Sequence, residues 1–193
     1  PKPFDPRLIA RIAPAVAKAA MDSGVATRPI ADLDAYAEKL TEFVYKTSLF
    51  MRPVFNQARK DIKRIVLTEG EDERILHAAQ QVVSQKLAFP ILVGDAKLIE
   101  ERLHSQGLTI QPGKDFELVD IKNSPYYEAS WKEYYNLRKR KGVTEEMARR
   151  RLKANSTLVG ALLVRLGHAD GLVCGTMGRF HDHFAVMEDV IGY

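Results

Sequence analysis

Short runs of β-branched and aliphatic residues alternate with helical patterns from about residue 63 onward. Four such runs cover residues 64–67, 89–93, 116–121 and 171–174. Strands that alternate with helices are joined by right-handed crossovers, which place them in a parallel sheet with helices on both faces. The pattern therefore predicts a three-layer α/β domain, and we expect its sheet to be incomplete within these 193 residues.

Apolar spacing predicts the helices between these strands. We expect one through about Gln85, one over 96–106, and two long ones over 126–140 and 144–167, separated by Gly142. A further helical pattern develops from Phe184 to Ile191.

The first fifty residues contain two helical patterns and no strand. The first spans 7–21, with Asp5 as N-cap, Pro6 in the first turn and a kink at Pro14, and the second spans 31–47. We therefore expect two parts, a helical segment over 1–55 and the α/β domain over 56–193. The chain starts with Pro1 and stops within a helical pattern, so we expect it to be a piece of a longer protein.

Composition places the chain among soluble proteins of the cytoplasm. The longest apolar stretch, 158–164, is much shorter than the roughly 20 residues that span a bilayer, and no signal peptide pattern opens the chain. The single cysteine, Cys174, lies in an apolar run and is expected to pack as a small core residue. No membrane partner is expected.

Positive charge is concentrated in one segment, residues 132–153, which holds nine Lys or Arg against three Glu. Interspersed acids and helical spacing favour a solvated helix face, and nucleic acid is not an expected partner. One or two of its arginines could instead hold a phosphate-bearing small ligand, because guanidinium matches phosphate in a bidentate manner. The aromatic residues 126–135 show helical spacing, typical of core or interface packing.

Two polar loops follow predicted strands, at the sheet edge where α/β proteins bind ligands. Residues 68–74 carry four carboxylates near a helix start, which favours the helix dipole, and no phosphate-loop or G-x-G-x-x-G pattern is present. The second loop, 175–183, ends in His181, Asp182 and His183. No further His or Cys completes a ligand set at a suitable spacing, so no metal site is expected.

Four segments, 64–74, 90–95, 137–144 and 169–175, resemble in order and spacing the N-terminal part of a phosphate acetyltransferase domain. The preceding segments 1–8, 13–20 and 23–26 are similar to the end of the malic-enzyme portion of hybrid bacterial malic enzymes, which join an NADP-dependent malic domain to such a domain. The resemblance implies a parent protein that oxidatively decarboxylates malate to pyruvate with NADP and Mg²⁺ or Mn²⁺. The binding residues for these groups are expected upstream of Pro1, so this piece would bind no cofactor and contain no catalytic residue.

The resemblance also implies a ligand site. Phosphate acetyltransferases use an arginine at the position of Arg138 and an aspartate at that of Asp182. Their second arginine corresponds to Ala185, and their hydroxyl pair falls at Arg179 and Phe180. The expected effector-binding residues are Arg138, Thr176, Arg179 and Asp182.

The function expected from the resemblance is regulatory. The domain would respond allosterically to acetyl-CoA and contribute to a homo-oligomer, within a multifunctional malate oxidoreductase. Two alternatives stay open at this point: a catalytically active phosphate acetyltransferase and a pure assembly module.

Overall fold

A computed structural model of the chain describes residues 7–120 and 123–192. Contacts divide the chain into two compact units between Gln57 and Ala58. This division lies close to residue 55, where the sequence places the end of its helical segment.

The first unit contains the helix α1, Arg7–Asp22, and most of the helix α2, Leu33–Lys60. Asp32 caps α2, because its Oδ1 accepts from the backbone N–H of Asp34 and Ala35 at 3.0 and 2.9 Å. The predicted end of this helix at residue 47 is wrong. Good helix formers such as Arg, Gln and Lys continue it beyond the amphipathic pattern that set the prediction. Asp5 and Pro6 lie outside the described residues.

Helix α1 leaves apolar side chains in solvent within this unit. Ile12 is 52% and Val16 61% exposed. Together with Tyr36 of α2 they line a shallow apolar groove whose other walls are Leu8, Ile9, Ala13 and Ala17.

The second unit is built on a sheet of four parallel strands. These are β1, Lys63–Leu67; β2, Ala88–Gly94; β3, Glu117–Asp120; and β4, Gly171–Val173. Their order across the sheet is β3-β2-β1-β4, and Val66 of β1 pairs with Ile91 of β2 on one side and Leu172 of β4 on the other. The predicted parallel sheet is confirmed; Ile121, the last residue of the predicted third strand, lies outside the described residues.

Helices cover both faces of this sheet. One face packs against α3, Glu73–Ser84, and α4, Ala96–Ser105. The other packs against α7, Ser156–Arg165, and three more helices pack around α7 in the same core: α5, Tyr127–Arg138; α6, Glu145–Ala154; and α8, Phe180–Val190. Alternate residues of β2 serve the two cores, Ile91 and Val93 on one face and Leu92 on the other.

The predicted continuous helix over 144–167 is wrong, because it breaks at Asn155. This residue has an extended backbone (φ −138°, ψ 102°) and ends α6. Its side-chain Oδ1 accepts from the backbone N–H of Leu158 at 3.0 Å and so caps α7. The break sets Lys153 and Ser156 on either side of a corner, and both line the pocket described below. The helix predicted to reach residue 140 similarly ends at Arg138 and continues as a 3₁₀ turn, Lys139–Lys141.

Candidate functional site

The strand order creates a crevice at the carboxyl edge of the sheet. From β1 the chain steps outward to β2 and then β3, and afterwards returns to the other side of β1 to form β4. The loops after β1 and β4 therefore diverge to opposite faces, towards α3 and α8. Such a switch point is where open α/β sheets bind ligands.

A pocket of about 360 Å³ opens beside this crevice. Its floor is the β1–α3 loop, residues 68–72, together with the end of β2. Its walls come from α4, from the α6–α7 corner and from the β4–α8 loop, residues 174–179; they are Arg102, Lys153, Ala154, Ser156 and Met177.

Gly70 lets the β1–α3 loop lie directly on β2. Its backbone N–H donates to the carbonyl of Val93 at 3.0 Å. A Cβ on this residue would lie 2.9 Å from that same carbonyl oxygen, so any side chain would push the loop off the strand.

Glu69 connects the two loops of the crevice. Its Oε1 accepts from the backbone N–H of Gly175 at 2.9 Å. Its Oε2 is buried and has no hydrogen-bond partner among the described residues, and the same holds for Oγ1 of the fully buried Thr68. Buried polar atoms without partners are costly, so these two atoms are a local source of instability beneath the pocket.

Asp72 and Arg74 form the second connection. Asp72 caps α3, since its Oδ1 accepts from the Arg74 backbone N–H, and its Oδ2 pairs with the Arg74 guanidinium at 2.8 Å. The hydrogen bond from Arg74 is the main cause that lowers the pKa of Asp72 to about 2. The guanidinium also donates to the carbonyl oxygen of Thr176 at 3.2 Å.

His183 forms the third connection. Its Nε2 lies 2.7 Å from the carbonyl oxygen of Met177, and its Nδ1 lies 2.8 Å from Oγ1 of the buried Thr157 on α7. From the sequence, His183 is a polar residue at the end of a loop where no metal site is expected, and nothing there indicates this role. No local pattern could reveal it, because the partner Thr157 is 26 residues away and meets the ring only through packing of α7 on α8.

Three of the four predicted effector residues lie together at this edge. Thr176 is in the β4–α8 loop, Arg179 is the N-cap residue of α8, and Asp182 lies in its first turn. Arg138 lies apart from them, because it pairs with Asp189 at 2.9 Å, about two turns further along α8. Their role as effector ligands stays a prediction.

Two arginines of the basic segment 132–153 lie against aromatic side chains. The Arg149 guanidinium lies 4.0 Å from the centre of the buried Trp131 ring, and Arg151 donates to the hydroxyl of Tyr134 at 2.9 Å. Trp131 and Tyr134 belong to the core, which agrees with the packing role expected for the aromatic stripe.

Cys174 is half-buried at the start of the β4–α8 loop. Burial raises the pKa of its thiol, and the charge of Glu69 adds to this, so the thiol is expected to be protonated at neutral pH.

No cluster of three or more His, Cys, Asp or Glu side chains that could hold a metal ion occurs in residues 7–120 and 123–192. Over the same residues, no helix is both long and apolar enough to cross a bilayer.

Comparison with curated proteins gives matches over the full length of the chain. It is 58% identical over 193 residues to the NADP-dependent malic enzymes of Salmonella typhimurium and Escherichia coli. The chain spans 25% of the length of each of these relatives. It is also 36% identical over 126 residues to a phosphate acetyltransferase of Helicobacter pylori, covering 65% of the chain and 24% of that protein. These matches fit a piece of a hybrid malic enzyme, as the resemblance predicted.

Solved structures confirm the fold. The EutD phosphotransacetylase from Staphylococcus aureus matches with a TM-score of 0.65 and 30% identity over 74% of this chain and 43% of that one. A phosphotransacetylase from Streptococcus pyogenes matches with a TM-score of 0.64 and 25% identity, over 72% and 42% of the two chains. The family model described as phosphate acetyl/butaryl transferase matches residues 49–193. With three quarters of its length matched by that model, the chain belongs to the phosphate acetyl/butaryl transferase family.

Proposed function

We propose that this chain is the regulatory, acetyl-CoA-responsive and oligomerising part of an NADP-dependent malic enzyme, working in the cytoplasm. The full-length identity to malic enzymes supports the assignment to such a parent protein. The parent would convert malate to pyruvate by oxidative decarboxylation with NADP and Mg²⁺ or Mn²⁺. The described residues fit neither the metal ion nor NADP, since they provide no metal-ligand cluster and the sequence has no dinucleotide-binding fingerprint. No step of that reaction is therefore assigned to them.

The regulatory part of the proposal is supported by the residues at two positions where phosphate acetyltransferases have arginines. By resemblance to phosphate acetyltransferases, Arg138 and residue 185 are where that chemistry uses arginines. Arg138 is only 18% exposed and its charge is paired with Asp189, while residue 185 is alanine. A methyl group cannot replace a bidentate phosphate ligand. The crevice is thus better suited to binding an acyl-CoA than to transferring its acyl group to phosphate.

The test uses the full-length protein and follows malate oxidation through the absorbance of NADPH. Acetyl-CoA is expected to inhibit, and free CoA at the same concentration is the matched control for the acetyl group. Absence of inhibition, together with absence of heat on titrating acetyl-CoA in a calorimeter, would leave only the assembly function.

Acetyl phosphate formation from acetyl-CoA and phosphate is measured on the same preparation. We expect no turnover above a blank without protein. Robust turnover would instead establish an active phosphate acetyltransferase and contradict the regulatory proposal.

Oligomerisation is supported by apolar side chains that the described units leave in solvent. Phe180 is 76% and Met177 60% exposed, in addition to the α1 residues above. Exposed apolar side chains of this kind can be covered by a second copy of the protein or by another part of the same protein. Light scattering on the full-length protein should give a mass that is a multiple of one chain, and a monomer would contradict this part of the proposal.

A further inference from the structure

Three consecutive residues of the β4–α8 loop are held by side chains through their backbone groups. The N–H of Gly175 donates to Glu69, the carbonyl of Thr176 accepts from Arg74, and the carbonyl of Met177 lies 2.7 Å from the His183 ring. The first contact comes from the β1–α3 loop, the second from the first turn of α3, and the third from the helix into which the loop leads. The loop therefore has a defined shape although it contains two glycines.

The chemistry of the acceptors determines how His183 is protonated when neutral. A carbonyl oxygen can only accept, so the hydrogen lies on Nε2 and points to Met177. Nδ1 is then an acceptor and takes the hydroxyl hydrogen of Thr157 at 2.8 Å. Because Thr157 is 3% exposed and lies in the first turn of α7, the ring ties the loop to a rigid element of the core.

The His183 ring fills a space that the absence of a side chain at Gly178 leaves open. A Cβ on Gly178 would lie 3.0 Å from His183 Nε2, and this residue has a left-handed backbone with φ +94°. The ring occupies the space that a side chain at 178 would need. The carboxylate of Glu69 lies 3.9 Å from Nδ1 and itself holds the next anchor, Gly175.

We propose that His183 is a positioning residue that fixes the β4–α8 loop and thereby places Thr176 and Arg179 for the effector. This inference rests on the proposed function, because it makes the affinity for acetyl-CoA depend on the shape of that loop. His183 itself does not need to touch the ligand. Its role follows from bridging α7 and the loop. The resemblance to phosphate acetyltransferases gives no role to residue 183.

Four variants of the full-length protein separate positioning from simple packing. His183→Ala removes the donor to Met177, whereas His183→Gln keeps a side-chain N–H that can reach the same carbonyl. Thr157→Val keeps the shape of the partner residue but removes its hydroxyl. His181→Gln is the matched control, since His181 is an exposed histidine on the same helix whose ring faces that of Phe180, with 6.3 Å between the ring centres.

The first measurement is hydrogen exchange of peptides covering the loop, without any ligand. His183→Ala should speed exchange of the Gly175 N–H, which Glu69 holds in this loop, roughly tenfold, since it removes one hydrogen bond of the loop and leaves the buried Thr157 hydroxyl without a partner. Thr157→Val should give a smaller increase in the same peptides, and His183→Gln and His181→Gln should behave like the wild type. Wild-type exchange in both His183→Ala and Thr157→Val would overturn the inference, as would equal defects in His183→Ala and His183→Gln.

The second measurement is inhibition of malate oxidation by acetyl-CoA. His183→Ala should raise the half-inhibitory concentration of acetyl-CoA about tenfold. His183→Gln should have a half-inhibitory concentration close to that of the wild type. Thermal unfolding of each variant is recorded, and if His183→Ala does not fold, Thr157→Val decides both measurements. If acetyl-CoA fails to inhibit the wild type, the proposed function fails, while the exchange measurement still decides whether His183 holds the loop. Normal inhibition in a variant whose loop exchanges faster would overturn the link to the effector.

Discussion

The packing of α7 on β1 can be tested at Gly160. A Cβ at this position would lie 2.6 Å from Cγ2 of Thr68 and 3.2 Å from Cγ1 of Val66. The first distance is far inside ordinary van der Waals contact, and both neighbours are fully buried. Gly160→Ala therefore forces α7 and the end of β1 apart, next to the pocket floor.

The expected magnitude follows from two opposing effects. Overpacking a close-packed core costs about 1–3 kcal/mol, and the severity of the Thr68 contact places this case in the upper part of that range. Alanine gains about 1 kcal/mol over glycine in a helix interior. Gly160→Ala should thus destabilise by about 1–2 kcal/mol.

Thr68→Ser provides the matched background, because it deletes only the methyl group that the new Cβ would strike. Alone it should cost about 1 kcal/mol, the value of one buried methyl group. In the double variant the added Cβ fills the vacated space, so adding Gly160→Ala should cost nothing or stabilise slightly. The expected coupling free energy is about 1–2 kcal/mol.

Calorimetric unfolding of the full-length protein measures this cycle through the transition of the phosphotransacetylase-like domain. Each kcal/mol should move that transition by about 2–4 °C. Equal effects of Gly160→Ala in the wild-type and Thr68→Ser backgrounds, or a Gly160→Ala protein as stable as the wild type, would refute the close contact of α7 with β1.

Three further predictions concern other parts of the domain. If Arg138 touches the effector, Arg138→Ala in the full-length protein should weaken acetyl-CoA inhibition of malate oxidation. An equal loss of inhibition in Asp189→Asn would show that Arg138 acts only by holding α8. Unchanged inhibition in Arg138→Ala would remove Arg138 from the site. Asp72→Ala should cost about 1 kcal/mol in calorimetric unfolding by removing the cap of α3, whereas Asp72→Asn, which can still cap, should cost less in the same measurement. Because the folded pKa of Asp72 is lowered to about 2 from 3.8, its charged form stabilises the fold above about pH 4, and the difference between wild type and Asp72→Asn should shrink as pH falls toward 2; a constant difference would contradict the Arg74 pair. Leu162→Ala should cost about 2–5 kcal/mol in calorimetry, since Leu162 is fully buried between helix and sheet, and a cost below about 1 kcal/mol would contradict that packing.

Local sequence patterns were sufficient for the kinds of element and for the class of fold. The period of the apolar residues distinguishes strands from helices, and strands that alternate with helices leave the parallel sheet as the regular arrangement. The errors lie at element ends. At Asn155 a cap outweighs a continuous apolar pattern, and after residue 47 good helix formers extend α2 beyond its apolar pattern. Asn155 is a good cap, but the same residue type is tolerated inside helices, so the sequence alone does not require a break there.

The candidate site shows the same division. Both polar loops could be placed at the carboxyl edge of the sheet, because each directly follows a predicted strand. Which loops face each other depends on strand order, and right-handed crossovers allow several orders for four strands. The position of β4 beside β1 is what brings Glu69 to Gly175 and Arg74 to Thr176, over 106 and 102 residues of chain.

The sequence by itself thus determined the α/β class, the two polar loops and, through resemblance, the family; that Ala185 stands at the position of a family arginine stays a prediction of that resemblance. Only the tertiary structure decided that Arg138 is paired with Asp189, and that His183 bridges Thr157 and the β4–α8 loop. The physical reason is that periodicity and capping are encoded within a few residues. The partners of a buried polar side chain, in contrast, are chosen by how whole helices pack on the sheet.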